Sequence, residues 1–490
     1  MKKDKIPVQI TQAKYQKSNI EDYKGNPLIE ALPECLEPQR MRSVLSLSIR
    51  AKFDATLSQR EREEKVREIR KTRIITRQHY DFYCEVYRMI RYGYKNRNPC
   101  SPQVIAWSYD IADPNVPHQN IDQHQLANLA NSTTADCIFL TGFSGNGKST
   151  MTEHVLFNLF PQVIEHDLPE FKAPQVIYLK VDIPHNASRP GLIYRLISAL
   201  DHTLAQTSYG DPCYRNIARK ASGKYENAES MMNILTTVVN RHHVGLLIID
   251  EFQSIQVASP TLRDTIIQLF DELSNQLFVP NIKIGTPDTI LLFDRNSRHK
   301  RRIGEPFELT RLSEPETWEQ AMKALFEFQP VKHPIQRDKG IEDLLFNLTA
   351  GVPAYLVGTW EAALLEAIRS GKEKLTQASI KKAFNQRFPL LRSATRNINR
   401  GIKGRHADLL TVQQYLDIGN NRMALKHLEQ FANRTEPQGI AAEEILEDIN
   451  SSIDQNEFNP SQIKKLNTIK EKLAKSKDSK LPSQTIEHRN

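Results

Sequence analysis

The stretch that decides the fold is Leu140-Thr141-Gly142-Phe143-Ser144-Gly145-Asn146-Gly147-Lys148-Ser149-Thr150. It fits the pattern G-x-x-x-x-G-K-[ST] of a phosphate-binding loop, the P-loop. Glycines let backbone N–H groups approach phosphate oxygens without a Cβ atom in the way. The flanks fit as well, because residues 137–140 predict a buried strand and residues 151–160 predict a helix. This context argues against the alternative, a chance glycine-rich turn.

The residues of the loop predict how a nucleoside triphosphate is held. Lys148 supplies positive charge for the β- and γ-phosphates, and the Ser149 hydroxyl is suited to Mg²⁺. The following helix adds the positive end of its dipole. The implied cofactors are ATP and Mg²⁺, and the predicted nucleotide-binding residues are Gly142, Ser144, Gly145, Asn146, Gly147, Lys148, Ser149 and Thr150.

A second motif follows about 100 residues later, where the apolar run 244–249 ends in Asp250-Glu251. Such a run predicts a strand buried on both faces of a parallel sheet, and ligands bind at the carboxyl ends of such strands. Asp250 is predicted to hold Mg²⁺, directly or through water. Glu251 is predicted to deprotonate the attacking water. Alone the pair has an ordinary structural explanation, but beside a P-loop it predicts ATP hydrolysis.

Composition narrows the class of protein. The chain has 490 residues, enough for several domains, and a formal net charge of +8, which favours contact with a polyanion. No apolar run reaches the roughly 20 residues that a membrane span needs, and the lysine-rich start lacks the apolar segment of a signal peptide. Five scattered cysteines suit a reducing cytoplasm and argue against a zinc site.

The order of predicted elements indicates the architecture. Strands are expected at residues 137–141, 175–182, 244–250, 282–285 and 306–309, with helices between the first four. This alternation predicts an α/β fold, a three-layer domain around a parallel sheet, and a mainly helical region follows it. We expect four parts: an N-terminal extension (1–95), a P-loop ATPase core (96–312), a helical lid (313–392), and a linker with a charged tail (393–490).

Three further stretches leave alternatives open. The charge-dense stretch 59–77 is either a solvated helix face or a surface for nucleic acid or a partner. The aromatic residues between 80 and 94 have a spacing compatible with a helix, which favours packing in the core. The lysine-rich stretch 460–480 is either a solubilising tail or a contact with DNA or a partner.

A small helical domain directly after a P-loop core resembles the layout of the AAA+ superfamily. This resemblance implies that Thr286 serves as sensor 1, a polar residue near the γ-phosphate, although a turn-forming threonine is the alternative. It also implies that Arg301 or Arg302 reaches the ATP of a neighbouring subunit, with a basic surface patch as the alternative. The usual lid arginine, sensor 2, has no counterpart within residues 351–355.

The chain also resembles the AAA+ target-selection regulators of cut-and-paste DNA transposons, of the TnsC/TniB type. The specific stretches are 21–33 and 93–99, supported by 161–164, 176–182, His185-Asn186, the strand 246–251 with Gln253, and 284–287. The resemblance covers roughly residues 20–400 and implies an ATP-dependent ring or filament on double-stranded DNA. The implied partners are other copies of the chain, transposase subunits and a targeting protein. Some members of this family serve CRISPR-associated transposons. A prokaryotic, nucleoid-associated cytoplasmic protein is the implied setting.

The predicted DNA contacts are to phosphates and lie in the basic stretch between the second and third sheet strands: Arg215, Arg219, Lys220 and Lys224. Three other functions stay open at this point. They are a replication initiator or helicase loader, a translocating helicase, and an interaction scaffold in which ATP only stabilises the fold. Glu251 speaks against the scaffold.

Overall fold

The computed structural model describes residues 8–112, 135–286, 289, 304–391, 395, 399 and 463–468. The chain divides into two compact units, residues 1–401 and 402–490. Of the second unit only residues 463–468 are described, and they are helical. Arg301, Arg302 and almost all of the predicted tail therefore lie outside the described residues.

A five-stranded parallel sheet forms the centre of the first unit. The described strands in chain order are β1 (Ile10–Gln12), β2 (Cys137–Thr141), β3 (Val163–Glu165), β4 (Pro174–Val176), β5 (Tyr178–Asp182), β6 (Leu246–Asp250), β7 (Asn281–Ile284) and β8 (Glu305–Glu308). The strand order of the large sheet is β5-β6-β7-β2-β8, and each neighbouring pair within it runs parallel. The predicted α/β fold with a parallel sheet around a P-loop is therefore confirmed.

The single strand expected over 175–182 is wrong in one respect, because it is two strands. The first of them, β4, runs antiparallel to β3 in a separate three-stranded sheet, β1-β3-β4. The break falls at Ile177, whose N–H donates to the carbonyl of Gln162 at 2.8 Å. Only β5 continues into the large sheet. An unbroken apolar pattern thus hides a change of hydrogen-bonding partner.

The described helices up to the last sheet strand are α1 (Pro27–Glu30), α2 (Pro38–Leu45), α3 (Gln59–Val66), α4 (Arg77–Lys95), α5 (Pro102–Ala112), α6 (Lys148–Leu159), α7 (Arg189–Leu204), α8 (Tyr214–Ile217), α9 (Ala228–Arg241) and α10 (Pro260–Gln276). Helices cover both faces of the large sheet. On one face α7, α9 and α10 form a continuous apolar core, and on the other α4 and α6 pack with α1 and α2. Among the described residues, no helix is long and apolar enough to cross a membrane.

The aromatic residues between 80 and 94 lie on α4 and mostly pack inward, as predicted. Phe82, Tyr83 and Tyr94 are buried, whereas Tyr92 is 46% exposed. The Tyr94 hydroxyl donates to the carbonyl of His243 at 2.7 Å, just before β6. Because α4 shares its core with the P-loop helix α6, this part of the N-terminal region is built into the P-loop core.

The lid consists of α11 (Pro315–Glu327), α12 (Lys339–Thr349), α13 (Pro353–Arg369) and α14 (Gln377–Arg387). Its core also contains Ala51, Val66 and Ile69 from the N-terminal region. The charge-dense stretch 59–77 therefore packs partly on the lid, and Arg62 and Arg70 pair with the lid carboxylates Glu373 and Glu361. Residues 51–71 thus belong to the lid in space, while 77–95 belong to the core.

Candidate nucleotide site

The P-loop needs glycine at two positions for different reasons. Gly142 has φ 147°, and a Cβ atom there would lie 2.6 Å from the carbonyl oxygen of Leu309. Gly147 precedes α6 with φ 92°, where no atom would touch a Cβ but a side chain still strains the backbone. At Gly142 the loop therefore packs closely against Leu309, the residue after β8. At Gly147 the chain turns into helix α6.

Two side chains shape the loop interior. The Lys148 ammonium donates to the carbonyls of Gly142 at 2.7 Å and Phe143 at 3.1 Å, so it lies over the loop. Asn146 donates from Nδ2 to the Leu309 carbonyl at 2.8 Å. Its buried Oδ1 and the buried Thr141 hydroxyl have no hydrogen-bond partner within the described part of the chain. Buried polar atoms of this kind call for a ligand or water.

The remaining predicted phosphate-binding residues begin α6 or face solvent. Ser149 is half-buried in the first turn of the helix, whereas Ser144 and Thr150 are exposed. The first-turn N–H groups of a helix have no intrahelical acceptors, and the helix dipole favours an anion there. The predicted residues from 142 to 150 thus lie together in the loop and in the first turn of α6.

The acidic pair stands at the end of β6, as predicted. Asp250 is 5% exposed, and its Oδ1 accepts the Glu251 N–H at 2.8 Å. Glu251 is exposed and has the left-handed φ of 58°, a conformation that costs a non-glycine residue about 1–3 kcal/mol. The Gln253 amide donates to its Oε2 at 2.5 Å. The chain thus turns sharply between a buried and an exposed carboxylate.

Thr286 follows β7, the strand between the P-loop strand and the acidic strand. Its carbonyl accepts the Thr289 N–H at 3.0 Å, and the two hydroxyls lie 3.3 Å apart. It is half-buried. Both expectations, sensor and turn-former, fit this geometry, and the sheet order brings Thr286 to the same edge as Gly142 and Asp250.

The donor set fits Mg²⁺. Within the described ranges, no cluster of three or more His, Cys, Asp or Glu side chains could hold a metal by itself. Mg²⁺ in nucleotide sites is bound by one or two protein oxygens, with phosphates and waters completing the octahedron. Ser149 and Asp250 are the protein oxygens that would hold it here.

A cavity of about 500 Å³ adjoins the P-loop. Its walls come from the loop, from residues 70–79 and from the lid, where the Ala354 N–H donates to the Gly145 carbonyl at 3.1 Å. Lid and loop are therefore in direct contact through their backbones. Four arginines line this cavity: Arg70 and Arg73 come from the charge-dense stretch 59–77, and Arg311 and Arg387 are arginines that the sequence analysis did not single out.

A neutral histidine lines the same cavity. The N–H of Thr76 donates to Nδ1 of His79 at 3.2 Å, which leaves the ring proton on Nε2. Burial, with a contribution from His154, lowers the pKa of His79 to about 4. At neutral pH His79 is therefore an uncharged side chain in the wall of this cavity.

The four predicted DNA contacts separate into two groups. Arg215 is engaged by Asp211 at 2.6 Å and by the buried Asp201 at 3.2 Å. Arg219, Lys220 and Lys224 are exposed on a tight turn, in which the Lys220 N–H donates to the Lys224 carbonyl at 2.8 Å. The Arg219 guanidinium stacks 4.4 Å from the Tyr194 ring centroid. Three of the four thus form one cationic turn.

Sequence reasoning missed Lys180, whose ammonium contacts Asp250 at 3.1 Å and Glu153 at 2.6 Å. The signal was visible, because an ionisable residue inside an apolar strand needs a partner. Its two partners lie far away in the sequence and could not be identified without the fold.

Residues 131–291 match the family model described as "AAA domain". No curated protein matches the sequence. A Walker-type ATPase of Pyrococcus abyssi is 13% identical, with 69% of this chain and 84% of that chain covered, at a TM-score of 0.37. The ORC2 protein of Aeropyrum pernix, solved with ADPNP and ADP, is 14% identical, with 74% and 97% covered, also at 0.37. Because these TM-scores are below 0.5, the fold assignment rests on the parallel sheet and on the matched model. Residues 131–291 of the chain thus carry an AAA domain.

Proposed function

We propose that this chain, through its AAA domain, binds Mg²⁺-ATP and hydrolyses it to ADP and phosphate. The supporting observation is that β2, β7 and β6 end side by side and carry the P-loop, Thr286 and Asp250-Glu251. Lys148 binds the β- and γ-phosphates, and Ser149 and Asp250 hold Mg²⁺, which neutralises phosphate charge. Glu251 accepts the proton of the attacking water and Thr286 orients the γ-phosphate.

Two variants separate binding from hydrolysis. Glu251→Gln keeps the shape but removes the base, so turnover should fall by about 10²-fold or more while ATP still binds. Lys148→Ala should lose ATP binding itself. Fluorescent-nucleotide binding and phosphate release measure the two steps. A Glu251→Gln protein that hydrolyses ATP at the wild-type rate would remove Glu251 from the reaction.

The chain acts, we infer further, as a nucleotide-switched regulator of DNA transposition of the TnsC/TniB type. The two stretches that carry the resemblance, 21–33 and 93–99, support this role because they contact each other and form one region of the structure. The Asn26 amide donates to the Tyr94 carbonyl at 2.8 Å, and Lys95 pairs with Asp22 at 2.6 Å. In this role the chain couples target-site selection to transposase recruitment, and hydrolysis resets the assembly.

Double-stranded DNA is the proposed polyanion, and the cationic turn is its proposed contact. Arg219 and its two lysine neighbours are exposed, and Tyr225 on the same turn adds an aromatic ring that is 39% exposed. Such a surface meets phosphates and reads no base sequence. Arg215, held by two carboxylates, has less to offer a phosphate.

Nucleotide is proposed to control self-assembly and the partner surfaces. Arg301 or Arg302 is the proposed trans-acting arginine. The N-terminal region 1–95 is the proposed contact for a targeting protein, and 393–490 for transposase or DNA. Residues 51–71 pack with the lid and 77–95 pack with the core. A nucleotide that changes the position of the lid relative to the core would therefore also move these two parts of the N-terminal region relative to each other. A prokaryotic, nucleoid-associated cytoplasmic location follows from this proposal.

The test is to image the purified protein with duplex DNA and a slowly hydrolysed ATP analogue, beside an ADP control. Rings or filaments that enclose DNA only with the ATP analogue are the expected result. A monomer free of DNA under both nucleotides would remove the transposition proposal but leave the ATPase site. Assembly only after addition of a replicative helicase would favour a helicase loader instead.

A further inference from the structure

Lys180 is a lysine in a strand whose neighbouring residues are buried. It is the third residue of β5, between Leu179 and Val181, and its side chain is 19% exposed. It pairs in register with Ile248, two residues before Asp250 on the adjacent strand. Side chains alternate along strands, so Lys180 and Asp250 project from the same face of the sheet. An ammonium in this position requires compensating charge.

Two carboxylates supply that charge, and they come from the two halves of the nucleotide site. Nζ of Lys180 lies 2.6 Å from Oε1 of Glu153 on the P-loop helix and 3.1 Å from Oδ2 of Asp250. Burial acts to lower the pKa of Lys180, but the two carboxylates outweigh it and the pKa is raised. Lys180 therefore remains an ammonium that joins α6 to β6.

Both oxygens of Asp250 are engaged in this arrangement. Oδ1 accepts the Glu251 N–H at 2.8 Å, and Oδ2 faces the Lys180 ammonium. The Asp250 side chain is 7% exposed, so water contributes little to its stabilisation. A divalent cation that binds Asp250 directly or through water must therefore compete with Lys180 for the same carboxylate charge.

We propose that Lys180 is a positioning residue that bridges Glu153 and Asp250 while Mg²⁺ is absent, and that it releases Asp250 and keeps only Glu153 when Mg²⁺ binds. Glu153 makes the exchange possible, since it gives the displaced ammonium a partner within the site. When Mg²⁺ binds, it thereby replaces the Lys180 ammonium at the Asp250 carboxylate. Lys180 therefore determines the Mg²⁺ concentration at which the site is filled. This inference rests on the proposed function, because it assumes that Asp250 meets Mg²⁺.

Substitutions of Lys180 and of Glu153 should have opposite effects. Lys180→Met removes the competing cation, so the Mg²⁺ concentration for half-maximal binding of an ATP analogue should fall by about 5-fold. Glu153→Gln removes the second partner and leaves Lys180 on Asp250, so that concentration should rise by about 3-fold. Lys180→Arg keeps the positive charge and should stay near the wild type. If Lys180 had only a structural role, Lys180→Met and Glu153→Gln should both raise the Mg²⁺ concentration that the site needs.

The experiment measures Mg²⁺ dependence without turnover. MgCl₂ is titrated into each protein with a fluorescent ATP analogue, and binding and melting temperature are followed together. Arg195→Met is the charge control, because exposed Arg195 contacts the carbonyl of Asp182 but not Asp250. It should change the Mg²⁺ requirement by less than about 2-fold, since exposed charges are screened.

The double variant Lys180→Met/Glu153→Gln decides the question. If Lys180 mediates the effect of Glu153, the Glu153→Gln change should have no further effect once Lys180 is gone. Additive effects would mean that each charge acts through its own field, and they would overturn the inference while leaving the ATPase proposal intact. A wild-type protein that binds the analogue without any Mg²⁺ dependence would overturn the metal role of Asp250 and this inference with it.

Discussion

The Arg62 guanidinium donates to the Glu373 carboxylate at 2.6 Å, although the two residues are 311 positions apart. Their side chains are only 10% and 7% exposed. Arg62 also donates to the Leu57 carbonyl at 2.7 Å, so it fastens the N-terminal region to the lid. The lid is therefore completed by residues that precede the ATPase core in the sequence.

We expect Arg62→Met to destabilise the protein by about 3–5 kcal/mol, because Glu373 would stay buried without its partner. Denaturant unfolding followed by lid fluorescence measures this, since Trp318 and Trp360 lie in the lid. Arg60→Met is the matched control, because Arg60 lies 3.7 Å from Glu64 in an ion pair whose two side chains are both exposed. Such surface pairs contribute about 0–1 kcal/mol to stability. Arg62→Met/Glu373→Leu should recover much of the loss. Equal effects of the two single variants would contradict a structural role for the buried pair.

The P-loop glycines should not be equally sensitive. Gly142→Ala should abolish ATP binding, since its Cβ would lie 2.6 Å from a backbone oxygen and its φ is 147°. Gly147→Ala meets no atom within 4 Å. It should cost only the left-handed strain, about 1–2 kcal/mol. Gly147→Asn should be milder still, because asparagine tolerates that conformation. Nucleotide affinity and melting temperature rank the three, and a reversed order would mean that the Leu309 contact does not constrain the loop.

Acid should weaken the fold through His79. Burial holds its pKa at about 4, so between about pH 6.5 and 4 the unfolded chain binds a proton that the folded protein refuses. Stability from this residue is full above pH 6.5, and is lost as pH falls toward 4. His79→Gln removes the titration and keeps a capping acceptor for Thr76. Its melting temperature should fall less over this range than that of the wild type. Parallel curves would show that His79 does not contribute.

The sequence predicts those features that depend on neighbouring residues. The P-loop, the acidic pair and the strands around them follow from short motifs and apolar runs, and each stands within a few residues of its expected place. The same holds for the buried aromatic residues of α4, because a helix repeats its inward face every three or four residues.

Features that depend on distant pairing could not be predicted. Nothing local to residues 175–182 says that the chain passes from the small sheet to the large sheet at Ile177. Nothing local to Arg62 or Lys180 names Glu373 or Asp250 as a partner. Charge patterning identified stretch 59–77 as a candidate surface, but Val66 and Ile69 within this stretch are buried in the lid core.

The cationic turn offers the sharpest test of DNA contact. Lys220→Glu/Lys224→Glu reverses two exposed charges while Arg219 keeps its stacking on Tyr194. Affinity for duplex DNA should fall by roughly 10-fold or more at moderate salt, equally for unrelated sequences, because phosphate contacts carry no sequence information. The slope of log affinity against log salt should decrease by about 2, one counterion release for each lost phosphate.

The control for this pair makes the same change of net charge elsewhere. Lys372→Glu/Lys374→Glu reverses two exposed lysines on the lid. If DNA responds only to the overall charge of the protein, both pairs should lose affinity alike. If the turn contacts phosphates, the lid pair should keep the wild-type salt slope while the turn pair loses part of it. Arg219→Lys should then reduce the affinity for DNA less than a charge reversal of Lys220 or Lys224 does. The positive charge at position 219 survives, and only the stacking on Tyr194 is weakened. An unchanged slope for Lys220→Glu/Lys224→Glu, with ATP binding intact, would exclude this turn from the DNA interface.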